Sequence, residues 1–114
     1  MKFYKIDDQI VFSDTELSIG TELIANTTDG SHEKHVPVIT ISSDEIHVAV
    51  GSVEHPMMDA HYIEFIVLET NCGIHTKWLK SGVKPKGVFK LVEGETVIAA
   101  YEYCNLHGLW KSVI

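Results

Sequence analysis

Thr96-Val97-Ile98-Ala99-Ala100-Tyr101-Glu102-Tyr103-Cys104-Asn105-Leu106-His107-Gly108-Leu109-Trp110-Lys111 is the stretch on which the reading turns. Residues 96–103 are rich in β-branched and aromatic side chains and predict a strand. The segment 105–108, with Asn and Gly, predicts a turn, and 109–113 a returning strand. Cys104 and His107 stand three residues apart across that turn, so both can face one point in space. A thiolate and an imidazole donor converging at a strand end suit zinc, copper or iron. A single Cys-x-x-His is more often a buried cysteine beside an incidental histidine. The weight therefore falls on whether the rest of the chain supplies further donors.

The same pattern of short apolar runs recurs on both sides of this stretch. Strands are predicted at 36–41, 46–50, 62–69, 75–80, 88–92, 96–103 and 109–113, divided by Gly, Pro, Ser and Asp. Ser42-Ser43-Asp44 reads as a hairpin turn, 81–85 as a wider loop and Glu93-Gly94 as a tight one. Several of the runs recur at roughly eight to twelve residues, the spacing of a sandwich. No segment holds a helical period long enough for a substantial helix. The expectation is an all-β fold, a sandwich of about seven strands.

Ahead of this body lie two short predicted strands, near 3–6 and 9–12, then a region without clear period, 15–25. The turn-rich Asn26-Thr27-Thr28-Asp29-Gly30-Ser31 predicts a boundary between an N-terminal arm, 1–30, and the main body, 31–114.

With 114 residues the chain is long enough for one domain with a modest core. Its formal charge of −7 argues against nucleic acid, whose phosphates demand a basic footprint. No apolar run approaches the ~20 residues of a membrane span. The N-terminus carries early acids and no apolar core of a signal peptide, so a cytoplasmic protein is expected. In a reducing compartment Cys72 and Cys104 are metal ligands or free thiols rather than a disulfide. An anionic substrate would need local lysines to overcome the global field.

Three of the seven histidines lie where the chain changes direction: His35 just before a strand, His55 just after one, and His61 at the start of the next. Pro56 removes a backbone donor and favours a turn after His55. With Cys104 and His107 they make four imidazoles and one thiolate. Tetrahedral zinc would leave one donor over, whereas iron with one position open uses all five.

Glu33-Lys34-His35-Val36-Pro37, Gly51-Ser52-Val53-Glu54-His55-Pro56-Met57, His61-Tyr62-Ile63-Glu64-Phe65-Ile66 and Cys104-Asn105-Leu106-His107-Gly108-Leu109-Trp110-Lys111 together closely resemble the superoxide reductase family, which includes desulfoferrodoxin and neelaredoxin. The resemblance covers roughly 31–112, with all four motifs in order. It implies an immunoglobulin-like β-sandwich carrying one iron per chain. His35, His55, His61 and His107 would be equatorial ligands, with Cys104 axial and trans to the open position. It implies one-electron reduction of superoxide to hydrogen peroxide. Lys34 would attract the anion and orient a proton-donating water, and Glu33 would bind the ferric site once product leaves. Against both stands the plain reading of a solvated charge. Lys111 either adds positive potential near the site or is plain surface.

The chain departs from the desulfoferrodoxin pattern in one respect. Phe3-Tyr4-Lys5 is followed by Ile6-Asp7-Asp8-Gln9, where that pattern has the first of four iron-binding cysteines. The arm then reads as a vestige of that segment without metal, and an external, rubredoxin-like donor is implied. A homodimer or homotetramer is also implied by the resemblance. The competing reading is a blue-copper-like electron-transfer protein, against which stands the lack of a Met shortly after His107.

His32, His47 and His75 are expected outside the site, with His47 and His75 facing solvent. Cys72 is expected as a free thiol, Met57 as a filler of core or loop, and Trp78 and Trp110 as sandwich packing, Trp110 also shielding the metal.

Overall fold

The computed structural model describes residues 1–114. Its elements in chain order are β1 (Lys2–Ile6), β2 (Gln9–Ser13), β3 (Thr21–Leu23), α1 (His32–His35), β4 (Pro37–Ser42), β5 (Glu45–Val50), β6 (Ile63–Thr70), β7 (Gly73–Trp78), β8 (Lys86–Lys90), β9 (Val97–Cys104) and β10 (Gly108–Val113). Seven of them form the expected sandwich: a sheet in the order β10-β9-β6-β7 lies over one in the order β4-β5-β8. All pairings within the two sheets are antiparallel.

The alternation of β5 shows why the sheets face one another. Ile46, Val48 and Val50 are buried while His47 and Ala49 point outward, the period of two that places one face against a core. They meet Ile66 and Leu68 of β6, Phe89 of β8, and Ala100 and Cys104 of β9. Cys104 is thus the last inward-facing residue of its strand, at one end of the core.

The arm is a third layer. β2-β1-β3 forms its own antiparallel sheet. Phe3, with Phe12 and Leu23 at its margin, covers the outer face of β6 and β9 at Phe65, Val67, Ala99, Tyr101 and Tyr103. Phe3 lies 4.8 Å from Tyr101 and Phe12 5.0 Å from Phe65, centroid to centroid, so aromatic packing holds the layer in place. β6 is consequently buried on both faces, which accounts for its unbroken Phe65-Ile66-Val67-Leu68 run.

Three expectations change. Trp78 does not pack the sandwich: it is 66% exposed on the edge strand β7, with its ring stacked on Phe12 of the arm. His75 is half-buried rather than solvent-facing, because its Nε2 lies 2.8 Å from Glu95 and its ring edge meets Phe89. The region 15–25 does contain a strand, β3, too short to show a period. No helix is long and apolar enough to cross a membrane.

Candidate metal centre

Every expected ligand lies at one end of the sandwich. His35 closes the single turn α1, and His55 follows β5 in the loop that leaves it. His61 is held by an isolated bridge to Met58 just before β6. Cys104 ends β9, and His107 sits in the hairpin between β9 and β10, where Gly108 pairs with Cys104.

Backbone contacts that the sequence does not announce set these positions. The Val53 N–H and the Ser52 hydroxyl both donate to the Glu33 carbonyl, at 2.9 and 3.2 Å, and dock α1 on the loop after β5. Gly51 makes that approach possible, since a Cβ there would overlap the Glu33 carbonyl and the Lys34 backbone. Asn105 joins the two halves of the site: its Oδ1 accepts from the Tyr62 N–H at 3.0 Å, and its Nδ2 donates to the Ala60 carbonyl at 3.1 Å. His61 is clamped between those two peptides. The Trp110 indole N–H donates to the His107 carbonyl at 2.9 Å, and the Thr28 hydroxyl binds the same oxygen.

The four imidazoles form a square. Going round it, ring centroids are separated by 4.6 Å (His35–His55), 4.6 Å (His55–His61), 5.1 Å (His61–His107) and 4.9 Å (His107–His35). The diagonal His35–His61 is 6.5 Å. Neighbouring rings stand nearly perpendicular, at 70° to 83°, like the blades of a propeller. The Cys104 Sγ joins the set at 3.5 Å from His55 Nε2 and 3.9 Å from His107 Nδ1. One donor atom from each of the five residues lies within 4.8 Å of all the others.

The hydrogen bonds define what this set can hold. His35 Nδ1 lies 2.7 Å from the Ser31 carbonyl, and His55 Nδ1 2.6 Å from the Pro56 carbonyl. A carbonyl only accepts, so each Nδ1 carries the proton and each neutral ring turns a bare lone pair inward from Nε2. Those two Nε2 atoms are 3.1 Å apart. His61 Nε2 is buried with no hydrogen-bond partner at all.

Burial holds the His55 ring down to about 4, with the neighbouring imidazoles pushing the same way. His35 and His61 are lowered for the same first reason, and the Lys34 charge contributes at His61. Extra protons therefore do not relieve the lone-pair clash at neutral pH. A cation at the centre of the square does, and carbonyls that orient metal-binding imidazoles in this way are the usual outer partners of such sites. Burial pushes the Cys104 thiol up, partly offset by the His107 and Leu106 backbone amides, so the metal must itself favour the thiolate. The donor set fits a metal of borderline softness.

Around the square, Trp110 is fully buried and stacks on His35 at 5.0 Å. Glu102 lies on the inner face of β9, two residues before Cys104, with neither carboxylate oxygen partnered, and burial raises it well above the ordinary carboxylate value. Lys34 and His55 line one cleft beside the centre. The Glu33 side chain, on α1 itself, is exposed.

The remaining candidates fall outside. Lys111 sits 5.2 Å above the Tyr101 ring, on the face the arm covers, and is not one of the lysines at the metal centre. His32 meets Trp110 edge-on, and His47 pairs with Glu45 at 3.0 Å on the surface. Cys72 is an exposed free thiol. Met57 fills a gap beside the core and its Sδ accepts the Ile63 N–H at 3.3 Å.

Comparison with known proteins agrees with this geometry. Residues 27–113 match the family model described as Desulfoferrodoxin. A desulfoferrodoxin of Clostridium acetobutylicum is 46% identical over 104 residues, spanning 88% of this chain and 81% of that protein. The superoxide reductase of Treponema pallidum superposes with a TM-score of 0.88 at 32% identity, covering 98% of both chains. The one-iron superoxide reductase of Giardia intestinalis, also 32% identical, gives 0.61 over 72% of this chain and 97% of its own. Of the last two, the first match takes in nearly the whole chain, arm included, and the second a little under three quarters of it. With its family model matched across the whole sandwich and its five donors gathered at one end, this chain belongs to the desulfoferrodoxin family of superoxide reductases.

Proposed function

We propose that this chain reduces superoxide to hydrogen peroxide at a single iron held by His35, His55, His61, His107 and Cys104. The observation that carries the reading is the square of inward lone pairs with a thiol beside it. Five donors would hold the iron and leave room beside it for a small anion. Bound there, it would supply the single electron that superoxide needs to reach the peroxide level, and two protons complete the product.

The chain's own residues do the rest. Lys34, adjacent to His35 and exposed at the cleft, draws the anion in against the net negative field and orients a water that gives up a proton. Glu33 has its carbonyl pinned by Val53 and Ser52, so its carboxylate stands on a fixed base and closes the mouth after product leaves. Trp110 and the Thr28 hydroxyl hold the His107 carbonyl, and the buried Trp110 ring, stacked on His35, keeps water off that side of the square.

The arm, residues 1–30, contains no cysteine and cannot form a four-cysteine iron site, so we read it as the metal-free remnant of that segment, kept as a packing layer. Each turnover then requires an electron from outside, from a rubredoxin-like protein. Cytoplasmic location and assembly as a homodimer or homotetramer are part of the same proposal.

The test is anaerobic mixing of the ferrous protein with a pulse of superoxide. One hydrogen peroxide per iron oxidised is expected, with further turnover only when a reductant is added. Oxygen release without reductant would mean dismutation instead.

A further inference from the structure

The lysines are unevenly spread. Residues 70–92 carry five of the nine, Lys77, Lys80, Lys84, Lys86 and Lys90, and no Asp or Glu. The rest of the chain has four lysines against all 16 acids.

The fold turns this run into a strip that begins at the metal centre. Lys34 and Lys84 line the same cleft of about 430 Å³ as His55 and Pro56, with Glu54 as its only acid. The 82–85 loop is fixed there by bonds from the Gly82 N–H to the Met57 carbonyl, 2.8 Å, and from the Val50 N–H to the Pro85 carbonyl, 2.9 Å. Lys86 continues the strip outward along β8. The Lys77 stem lies over Gly87, which brings β7's lysine beside it. All five lysines are exposed. Only Lys90, at the far end, has an ion-pair partner, Asp44 at 3.8 Å.

Lysines on edge strands discourage pairing between copies of a sheet, which accounts for Lys77, Lys86 and Lys90. It does not account for Lys80 and Lys84 in the loop, nor for the exclusion of every acid. Steering of a diatomic anion needs charge at the mouth alone, whereas this strip runs well past it. A negatively charged macromolecule uses the whole length, and one small enough to avoid the acidic remainder fits best.

We propose that this strip docks an acidic one-electron carrier protein, seated over the cleft so that its electron enters through the His55 imidazole. The carrier is oxidised by one electron and the metal centre reduced by one, with no bond or proton exchanged. The proposal rests on the reading of the centre as a one-electron site.

The first test is zero-length carbodiimide coupling of the metal-loaded protein to zinc-substituted rubredoxin, an acidic probe that transfers no electron. Coupling at Lys77, Lys80, Lys84 and Lys86 is expected. Coupling spread evenly over all lysines, or concentrated at Lys2 and Lys5, would overturn the proposal. The second test is the rate at which reduced rubredoxin re-reduces the ferric protein. Lys84→Gln/Lys86→Gln should lower it at least about fivefold at low ionic strength and flatten its salt dependence. Lys2→Gln/Lys5→Gln, with the same net charge, should match the parent protein. Equal losses in both pairs, or none in either, would contradict the strip. A ferrous protein that ignores superoxide would overturn the proposed activity while leaving this docking surface standing.

Discussion

His35 and His55 point unprotonated Nε2 atoms at one another across 3.1 Å, each ring's proton being committed to a backbone carbonyl on its far side. Two lone pairs at that distance repel, and the chain has built the contact into rigid backbone on both sides. The folded state is therefore poised around a cation.

Iron should accordingly be a large contributor to stability. At about a thousandfold excess over its dissociation constant a ligand that binds only the folded state adds about 4 kcal/mol. For a domain of this size, Tm should rise on the order of 15 °C when ferrous iron is added to stripped protein, saturating at one equivalent. Calorimetry under anaerobic conditions measures this. A Tm that does not respond to iron would mean the square is held open by other forces.

Asn105 tests whether the clamp on His61 matters to the metal. Asn105→Ala removes its bonds to Tyr62 and Ala60 and should cost about 1–2 kcal/mol of folding stability. Loss of this outer support should also weaken iron binding about 10–100-fold. Competition with a chelator reads the second effect. Unchanged affinity in a destabilised variant would confine Asn105 to the fold.

Lys34→Ala should slow oxidation of the ferrous protein by superoxide and reduce the dependence of that rate on salt, with the iron content unchanged. The effect should be about tenfold or less, since one exposed charge is screened by solvent and ions. A rate and salt slope equal to those of the parent would leave Lys34 as ordinary surface.

Far from the metal, Glu95 predicts a specific acid sensitivity. The Thr70 hydroxyl and the His75 ring hold its carboxyl down to about 2, against 4.5 when free. A folded value below the unfolded one means stability present above pH 4.5 and lost as pH falls toward 2. Glu95→Gln should flatten the unfolding free energy across that window, as measured by urea titrations at several pH values. An identical pH profile would show that the Thr70–Glu95–His75 bonds do not survive in solution.

Much of this molecule is legible in its residues. β5 shows strict alternation, so the spacing of Ile46, Val48 and Val50 is enough to declare their buried face. Cys104 and His107 declare the hairpin, and the four motifs declare the ligands. What stays hidden depends on contacts between distant segments. Trp78 looks like a core residue by type, and only the position of β7 at a sheet edge leaves it on the surface against Phe12. His75 becomes half-buried because Glu95 lies 20 residues away in sequence but 2.8 Å away in space. Asn105 reads as a turn residue, and nothing local reveals that it reaches Tyr62. The arm's role as a third layer follows from aromatic partners on β6 and β9 that no local pattern identifies. Lys111 stands in a motif that points to the site, yet Tyr101 holds it elsewhere.

X-ray absorption at the iron edge of the loaded ferrous protein tests the assignment of the centre most directly. Four nitrogen scatterers and one sulfur scatterer are predicted, with the sulfur lost in Cys104→Ser and the nitrogens retained. A spectrum without sulfur in the parent protein, or one that Cys104→Ser leaves unaltered, would contradict it.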